Sequence, residues 1–160
     1  MTVRAIRADD VPAVVALVRE LADYEKSLHE ARLTEEQLTA VLFGSSPALF
    51  GHVAVVADQV VGMALWFLNF STWRGTHGVY LEDLYVQPQH RGRGLGKELL
   101  RTLAAVCVER GYSRLEWSVL DWNAPSIEFY EAAGAVPMDG WTVFRLTDDA
   151  LTGFATHSDG

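Results

Sequence analysis

The feature that most constrains the fold is the run Arg91-Gly92-Arg93-Gly94-Leu95-Gly96, which follows an apolar stretch ending at Val86 and opens an amphipathic one beginning at Leu95. Where a strand hands a glycine-rich turn to a helix, unpaired backbone N–H groups and the positive end of the helix dipole converge on one point. That point suits a pyrophosphate. The run therefore asks for a strand, a tight turn and a helix in that order, with a sheet to hold the strand.

The rest of the chain supplies that sheet. Val3 to Ile6 reads as a short strand, followed by Asp9 or Asp10 as N-cap of a helix with Val11, Val14, Val15, Val18, Leu21 and Ala22 on one stripe. Thr34-Glu35-Glu36-Gln37 has the form of a capping box and opens a second helix that runs to Gly44. His52 to Ala57 and Val60 to Phe70 are β-branched and aromatic and read as a hairpin about the turn Asp58-Gln59. A polar loop from Ser71 to His77 leads into a third long strand, Gly78 to Val86, stopped by Pro88. Leu95, Leu99, Leu103, Val106 and Cys107 share a helix face that Gly111 closes, and a strand from Arg114 to Val119 follows. Pro125 starts a short helix ending near Gly134, and Trp141 to Leu146 reads as a last strand. The order predicts a mixed α/β sandwich (α+β). Residues 1–147 are expected to form a single domain, with 148–160 as a polar, frayed tail.

Two familiar phosphate motifs fail letter by letter. The dinucleotide fingerprint begun at Gly92 needs glycine at position 97, where Lys97 stands; the Walker loop needs glycine at 91 and Ser or Thr at 98, where Arg91 and Glu98 stand. What remains is Arg-x-x-Gly-x-Gly, which resembles the pyrophosphate loop of the GNAT acetyltransferase superfamily. The resemblance spans nearly the whole chain, because Tyr24-Glu25, Tyr80-Leu81-Glu82-Asp83, the loop, and Trp122-Asn123-Ala124-Pro125-Ser126-Ile127-Glu128-Phe129-Tyr130 occur in order. These stretches are similar to the spermidine/spermine (diamine) branch. Ser71-Thr72-Trp73 and Val119-Leu120-Asp121-Trp122-Asn123 resemble the thialysine branch.

The resemblance implies a GNAT fold with a central, mostly antiparallel mixed sheet flanked by helices, and acetyl-CoA as the donor. It implies cofactor contacts at Leu84, Tyr85 and Val86, at Arg91, Gly92, Arg93, Gly94, Leu95, Gly96 and Lys97, and at Asn123, Ser126 and Tyr130. Asn123 also reads as a helix cap before Pro125. Acetyl transfer needs a neutral amine nitrogen, whereas an alkylamine with a pKa of about 10 is protonated at neutral pH. A base must remove that proton. Glu82 is the candidate base, and the resemblance gives Tyr130 the role of acid for the departing thiolate. Backbone N–H groups in Leu84 to Val86 are candidates to stabilise the oxyanion. Asp83 points away from Glu82 on a regular strand, so both serve one site only if the strand is locally irregular; such a bulge is common in the superfamily. Tyr24, Glu25, Trp73, Glu82, Asp83 and Asp121 are candidates to hold a cationic substrate.

Composition bears on partners. A net charge of −8 in 160 residues repels nucleic acid and favours a small cationic amine. The single cysteine excludes an internal disulfide framework, and the histidines at positions 29, 52, 77, 90 and 157 lack metal-ligand spacing, so no metal is expected. No apolar run near the N-terminus reads as a signal or membrane segment, which makes a cytoplasmic protein the expectation. The resemblance implies a homodimer. Two other functions stay open: acetylation of a protein N-terminus or lysine, and a non-catalytic acetyl-CoA-binding module.

Overall fold

A computed structural model describes residues 1–156; positions 157–160 of the expected tail lie outside the described residues. The described backbone divides into two compact units, one of residues 1–124 and one that begins at residue 125.

The first unit is built on a five-stranded sheet in the order β1 (Thr2–Ala5), β2 (Phe50–Val56), β3 (Gln59–Ser71), β4 (Thr76–Val86) and β5 (Leu115–Glu116). Neighbours run antiparallel except for the parallel pair β4–β5. Helices α1 (Val11–Tyr24) and α2 (Glu35–Phe43) bury Val11, Val14, Leu17, Leu21, Leu38 and Leu42 against Val53, Met63, Leu65 and Tyr85. Burial of that apolar stripe drives the packing, because helices this short are marginal alone. Helix α3 (Leu95–Arg110) turns Leu99, Leu103 and Cys107 inward, and its Arg110 lies over the ring of Trp66.

Local signals explain the helix ends. The Thr34 hydroxyl accepts from the Gln37 N–H at 3.1 Å, and the Gln37 side chain accepts from the Thr34 N–H at 3.0 Å, so the expected capping box forms. The cap of α1 differs from expectation. Asp10 occupies that position but makes no side-chain bond to the α1 backbone. Its carboxylate instead accepts from both terminal nitrogens of Arg4, at 2.7 and 3.0 Å, and from the Arg7 N–H at 2.7 Å. The Arg4 guanidinium is the main reason its carboxyl sits below the usual range. A bidentate pair with a buried carboxylate outweighs one cap bond, and it ties β1 to the start of α1.

The hairpin turn also moves by one residue. β2 ends at Val56 and β3 begins at Gln59, so the turn residues are Ala57 and Asp58, at φ of 50° and 63°. Positive φ at both central positions matches the right-handed strand twist, and tight pairing demands it even of an alanine. Replacing the pair by Asn-Gly is expected to stabilise the protein by about 1 kcal/mol. The check is urea unfolding, and a midpoint that stays put or falls contradicts the assignment.

In the second unit, α4 (Ala124–Ala132) is extended to the boundary residue and closes where the Ala133 and Ala135 N–H groups both reach the Tyr130 carbonyl at 3.1 Å. Trp141 to Leu146, expected as a strand, forms no ladder within this unit taken by itself. The frayed tail is corrected: Asp148–Thr156 is a helix, α5. Asp148 and Asp149 lie in its first turn, where acidic side chains oppose the positive helix end, and the Leu151 N–H bonds the Thr147 carbonyl at 3.3 Å.

Candidate active site

The site starts from an irregularity in β4. Met63 and Leu65 face the α1–α2 core, so their β4 partners Tyr85 and Asp83 share that face. Trp66 lies on the opposite face, and its partner is Leu81. The register shifts between Leu65 and Trp66, which leaves Glu82 as the extra residue in β4. Alternation counted up from Leu81 puts Glu82 on the α1 face, and counted down from Tyr85 it puts Asp83 there as well. The bulge brings two consecutive carboxylates to one side.

Glu25, just past the C-terminal end of α1, adds a third. Burial raises the Glu25 carboxyl above its ordinary value. Asp83 is half-buried, and its carboxyl is pushed up to about 7, first by burial and then by the negative charges of Glu82 and Glu25. Glu82 is exposed beside it.

A raised carboxyl makes stability depend on pH. Folding disfavours the charged form of Asp83, so its cost is absent below the unfolded value near 4 and grows as pH rises towards 7. Asp83→Asn is therefore expected to gain about 2 kcal/mol over the parent at alkaline pH, after allowance for partial exposure, and close to nothing at about pH 4. Parallel denaturant titrations at the two pH values check this; equal differences at both contradict it.

At the open end of β4 the strands part. Among the described residues β5 pairs with β4 at Val79–Leu115 and Tyr80–Glu116, so within this unit the edge from Leu81 to Val86 faces no strand on that side. Alternate N–H groups of Leu84, Tyr85 and Val86 project from that edge. The loop continues from there. Gly92 and Gly94 have φ of 80° and 81°, a region side-chain-bearing residues enter at a cost, and no atom lies within 4 Å of where a Cβ would stand on either. Gly94 caps α3 without a side chain, so the first N–H groups of that helix are uncovered. Open space over two glycines at a bare helix N-terminus fits a diphosphate. Arg93 and Lys97 are exposed on the same turn, and Leu95 is buried beneath it.

Arg91 anchors the loop to the sheet. Its Nε donates to the Val86 carbonyl at 2.8 Å, and its guanidinium lies 5.5 Å from the Tyr24 ring centre and 5.4 Å from that of Tyr85. Tyr24 donates in turn to Oδ1 of Asn123 at 3.2 Å, and its ring lies 6.0 Å from that of Trp122. The glycine-rich loop, the end of α1 and the turn after β5 thus meet through Tyr24. Trp122, with the Lys26 ammonium 4.6 Å over its ring, belongs to this cluster; the sequence carries it in both stretches of resemblance but without a site role. Its place directly before Asn123 was the available signal. Glu20 was missed too; it accepts from the Tyr85 hydroxyl at 3.3 Å and from the Gln87 amide at 3.1 Å, fixing the edge of β4 to α1.

Other candidates are placed differently. Asn123, expected as a cap and cofactor contact, stands directly before α4 and is 5% exposed, with its Oδ1 accepting from Tyr24. Asp121 is exposed in the same turn. Trp73, 88% exposed, sits at the tip of the β3–β4 hairpin, about 20 Å along the strand from Asp83, so this unit does not bring it to the carboxylates. Ser126 and Tyr130 belong to α4 in the second unit. Among the described residues no group of His, Cys, Asp and Glu side chains is placed to hold a metal ion, and no helix is long and apolar enough to cross a membrane.

The sequence pattern of the acetyltransferase (GNAT) family matches residues 14–135. The chain belongs to the GNAT acetyltransferase family. It is 36% identical over 160 residues to thialysine N-epsilon-acetyltransferase of Bos taurus, an alignment covering 93% of this chain and 94% of the other. It is 31% identical to spermidine/spermine N(1)-acetyltransferase-like protein 1 of Homo sapiens, over 96% of this chain and 23% of that longer one. The solved structure of an integron cassette protein from V. cholerae shares the fold, with a TM-score of 0.82, 24% identity and 98% of both chains covered. This acetyltransferase therefore transfers the acetyl group of acetyl-CoA to an amine acceptor, as its family does, and the expected mixed sheet flanked by helices is the fold observed.

Proposed function

We propose that this acetyltransferase acetylates a primary amine of a small cationic substrate, a polyamine or a lysine-like amino acid, by direct attack on acetyl-CoA. The observation that carries the reading is the β4 bulge, which gathers Glu82 and Asp83 on the face that Glu25 also approaches. Three carboxyls and the neighbouring ring of Tyr24 suit an ammonium group far better than a neutral or anionic acceptor. The names of the two relatives, a thialysine and a spermidine/spermine-like enzyme, favour the same acceptor class.

In this reading Glu82 takes the proton from the ammonium group, directly or through a water. Exposure keeps Glu82 free to pass that proton to solvent. A backbone N–H of Leu84 to Val86 supports the developing oxyanion, and Tyr130 protonates the departing thiolate. Gly92 to Lys97, with the uncovered N-terminus of α3, hold the diphosphate of the donor, and Asn123 and Ser126 line its arm. Glu25, Asp83, Asp121 and Tyr24 receive the cation. Residues 1–147 act as one acetyltransferase domain, and the family resemblance favours a homodimer.

Arg91 provides a test of the loop anchor. Arg91→Lys keeps the charge but loses the Nε bond and the planar group over Tyr24 and Tyr85. The KM for acetyl-CoA is expected to rise about fivefold or more, the equivalent of one lost hydrogen bond. An unchanged KM removes the anchor role.

The acceptor reading is tested by competition. Spermidine, thialysine, ornithine, a lysine-containing peptide and a free N-terminal peptide are offered together with limiting acetyl-CoA, and the products are counted by mass spectrometry. Products dominated by the small cations support the proposal, and peptide acetylation in excess of them overturns it.

A further inference from the structure

The geometry points to Asp83 as a proton-exchange group: half-buried beside Glu82 and Glu25 on the α1 face, it holds a proton in the free protein, and a cationic amine entering there takes that proton's place. This rests on the proposed function and adds a regulatory property to the same site.

The placement follows from the bulge. A regular strand would send Asp83 and Glu82 to opposite faces; the extra residue sends both towards α1, where the chain leaves the helix through Glu25. Asp83 sits deepest of the two β4 carboxylates, half-buried where Glu82 is exposed. Its strand partner Leu65 is apolar and belongs to the core, so β3 offers no compensating charge. The charged groups that act on it are Glu82 from its own strand and Glu25 from the end of α1, both acidic. Arg91, the cation of the neighbouring loop, is bonded to the Val86 carbonyl and lies over Tyr24 and Tyr85. Partial burial and two neighbouring negative charges both disfavour ionisation of Asp83, and the cheapest place for a proton is the most buried of the three carboxyls. The value of about 7 at Asp83 agrees with that placement.

The exchange balances without any change in covalent bonds to carbon. The protonated Asp83 carboxyl and an incoming R–NH3⁺ give the carboxylate–ammonium pair and one proton released to solvent. Above about pH 7 the carboxyl is already ionised and nothing is released. Below it, amine affinity falls by up to about tenfold per pH unit, because the proton must first leave.

The direct test uses the free full-length protein labelled with 13C at the aspartate carboxyls. One resonance is expected to titrate near pH 7, to be missing in Asp83→Asn, and to move to lower pH in Glu25→Gln and Glu82→Gln, each of which removes a like charge. At about pH 6, calorimetry in two buffers of different ionisation enthalpy is expected to show about one proton released per spermidine bound to the parent, and almost none with Asp83→Asn. An Asp83 resonance that titrates in the ordinary carboxylate range overturns the inference, as does equal proton release in parent and variant. A protein that acetylates spermidine with no proton release overturns this inference alone. One that titrates near pH 7 yet neither binds nor acetylates any cationic amine overturns the proposed function, and the exchange with it.

Discussion

Glu82→Gln is expected to lower kcat/KM for a small primary amine by about 100-fold or more at neutral pH, the usual contribution of a positioned base. The carboxamide keeps the size of the side chain and its place at the bulge, but it cannot accept a proton. Acetyl transfer then depends on the small fraction of amine already neutral in solution. That fraction grows about tenfold per pH unit, so the deficit should shrink as pH approaches the amine pKa of about 10. Steady-state rates of the two proteins from neutral to alkaline pH provide the check. A variant within about threefold of the parent at neutral pH shows that Glu82 is not the base. A deficit that stays constant as pH rises points to a misfolded site rather than a missing base.

Tyr130→Phe is expected to lower kcat about 10- to 100-fold, a smaller effect with a physical reason. The departing group is a thiolate whose conjugate acid has a pKa near about 8.5, so it leaves with less help than an alkoxide needs. The substitution keeps the ring and removes only the hydroxyl. In the structure the Tyr130 carbonyl accepts the N–H groups that close α4, and those bonds do not involve the side chain. A phenylalanine is therefore expected to leave α4 intact, which circular dichroism can confirm. Wild-type kcat in the variant removes the acid role.

These expectations came from the sequence to different degrees, and the differences have causes. The loop at Arg91–Gly96 was legible because glycine, helix start and preceding strand are all local signals. The Thr34 box was legible for the same reason: donor and acceptor lie three residues apart. The bulge at Glu82 was foreseen only as a condition, since one extra residue in β4 has meaning only against its pairing with β3. Asp10 read as an N-cap by local rules, but Arg4, on the preceding strand and outside the helix-cap pattern, took its carboxylate. Likewise Glu20 carries no motif; it matters because α1 passes over Tyr85 and Gln87. The turn at Ala57-Asp58 slipped by one because alanine is an unusual residue at positive φ, and strand pairing overrode its preference. Trp73 was grouped with the carboxylates by a short stretch of resemblance, yet the length of β4 separates them within one unit. The polar composition after Leu146 reads as a frayed tail and hides helix α5, whose acidic first turn precedes Leu151 and Phe154 spaced for one helix face.

The central claim is that an amine attacks the donor directly, with its proton passed to the carboxylates on β4. Rapid mixing of the protein with acetyl-CoA, with and without spermidine, followed by quenching and detection of free thiol, tests it most directly. The account predicts no thiol burst and no acetylated protein without the amine, and steady release with N-acetylspermidine formed one for one when it is present. A stoichiometric burst of thiol in the absence of amine, with the acetyl group found on the protein, would contradict it.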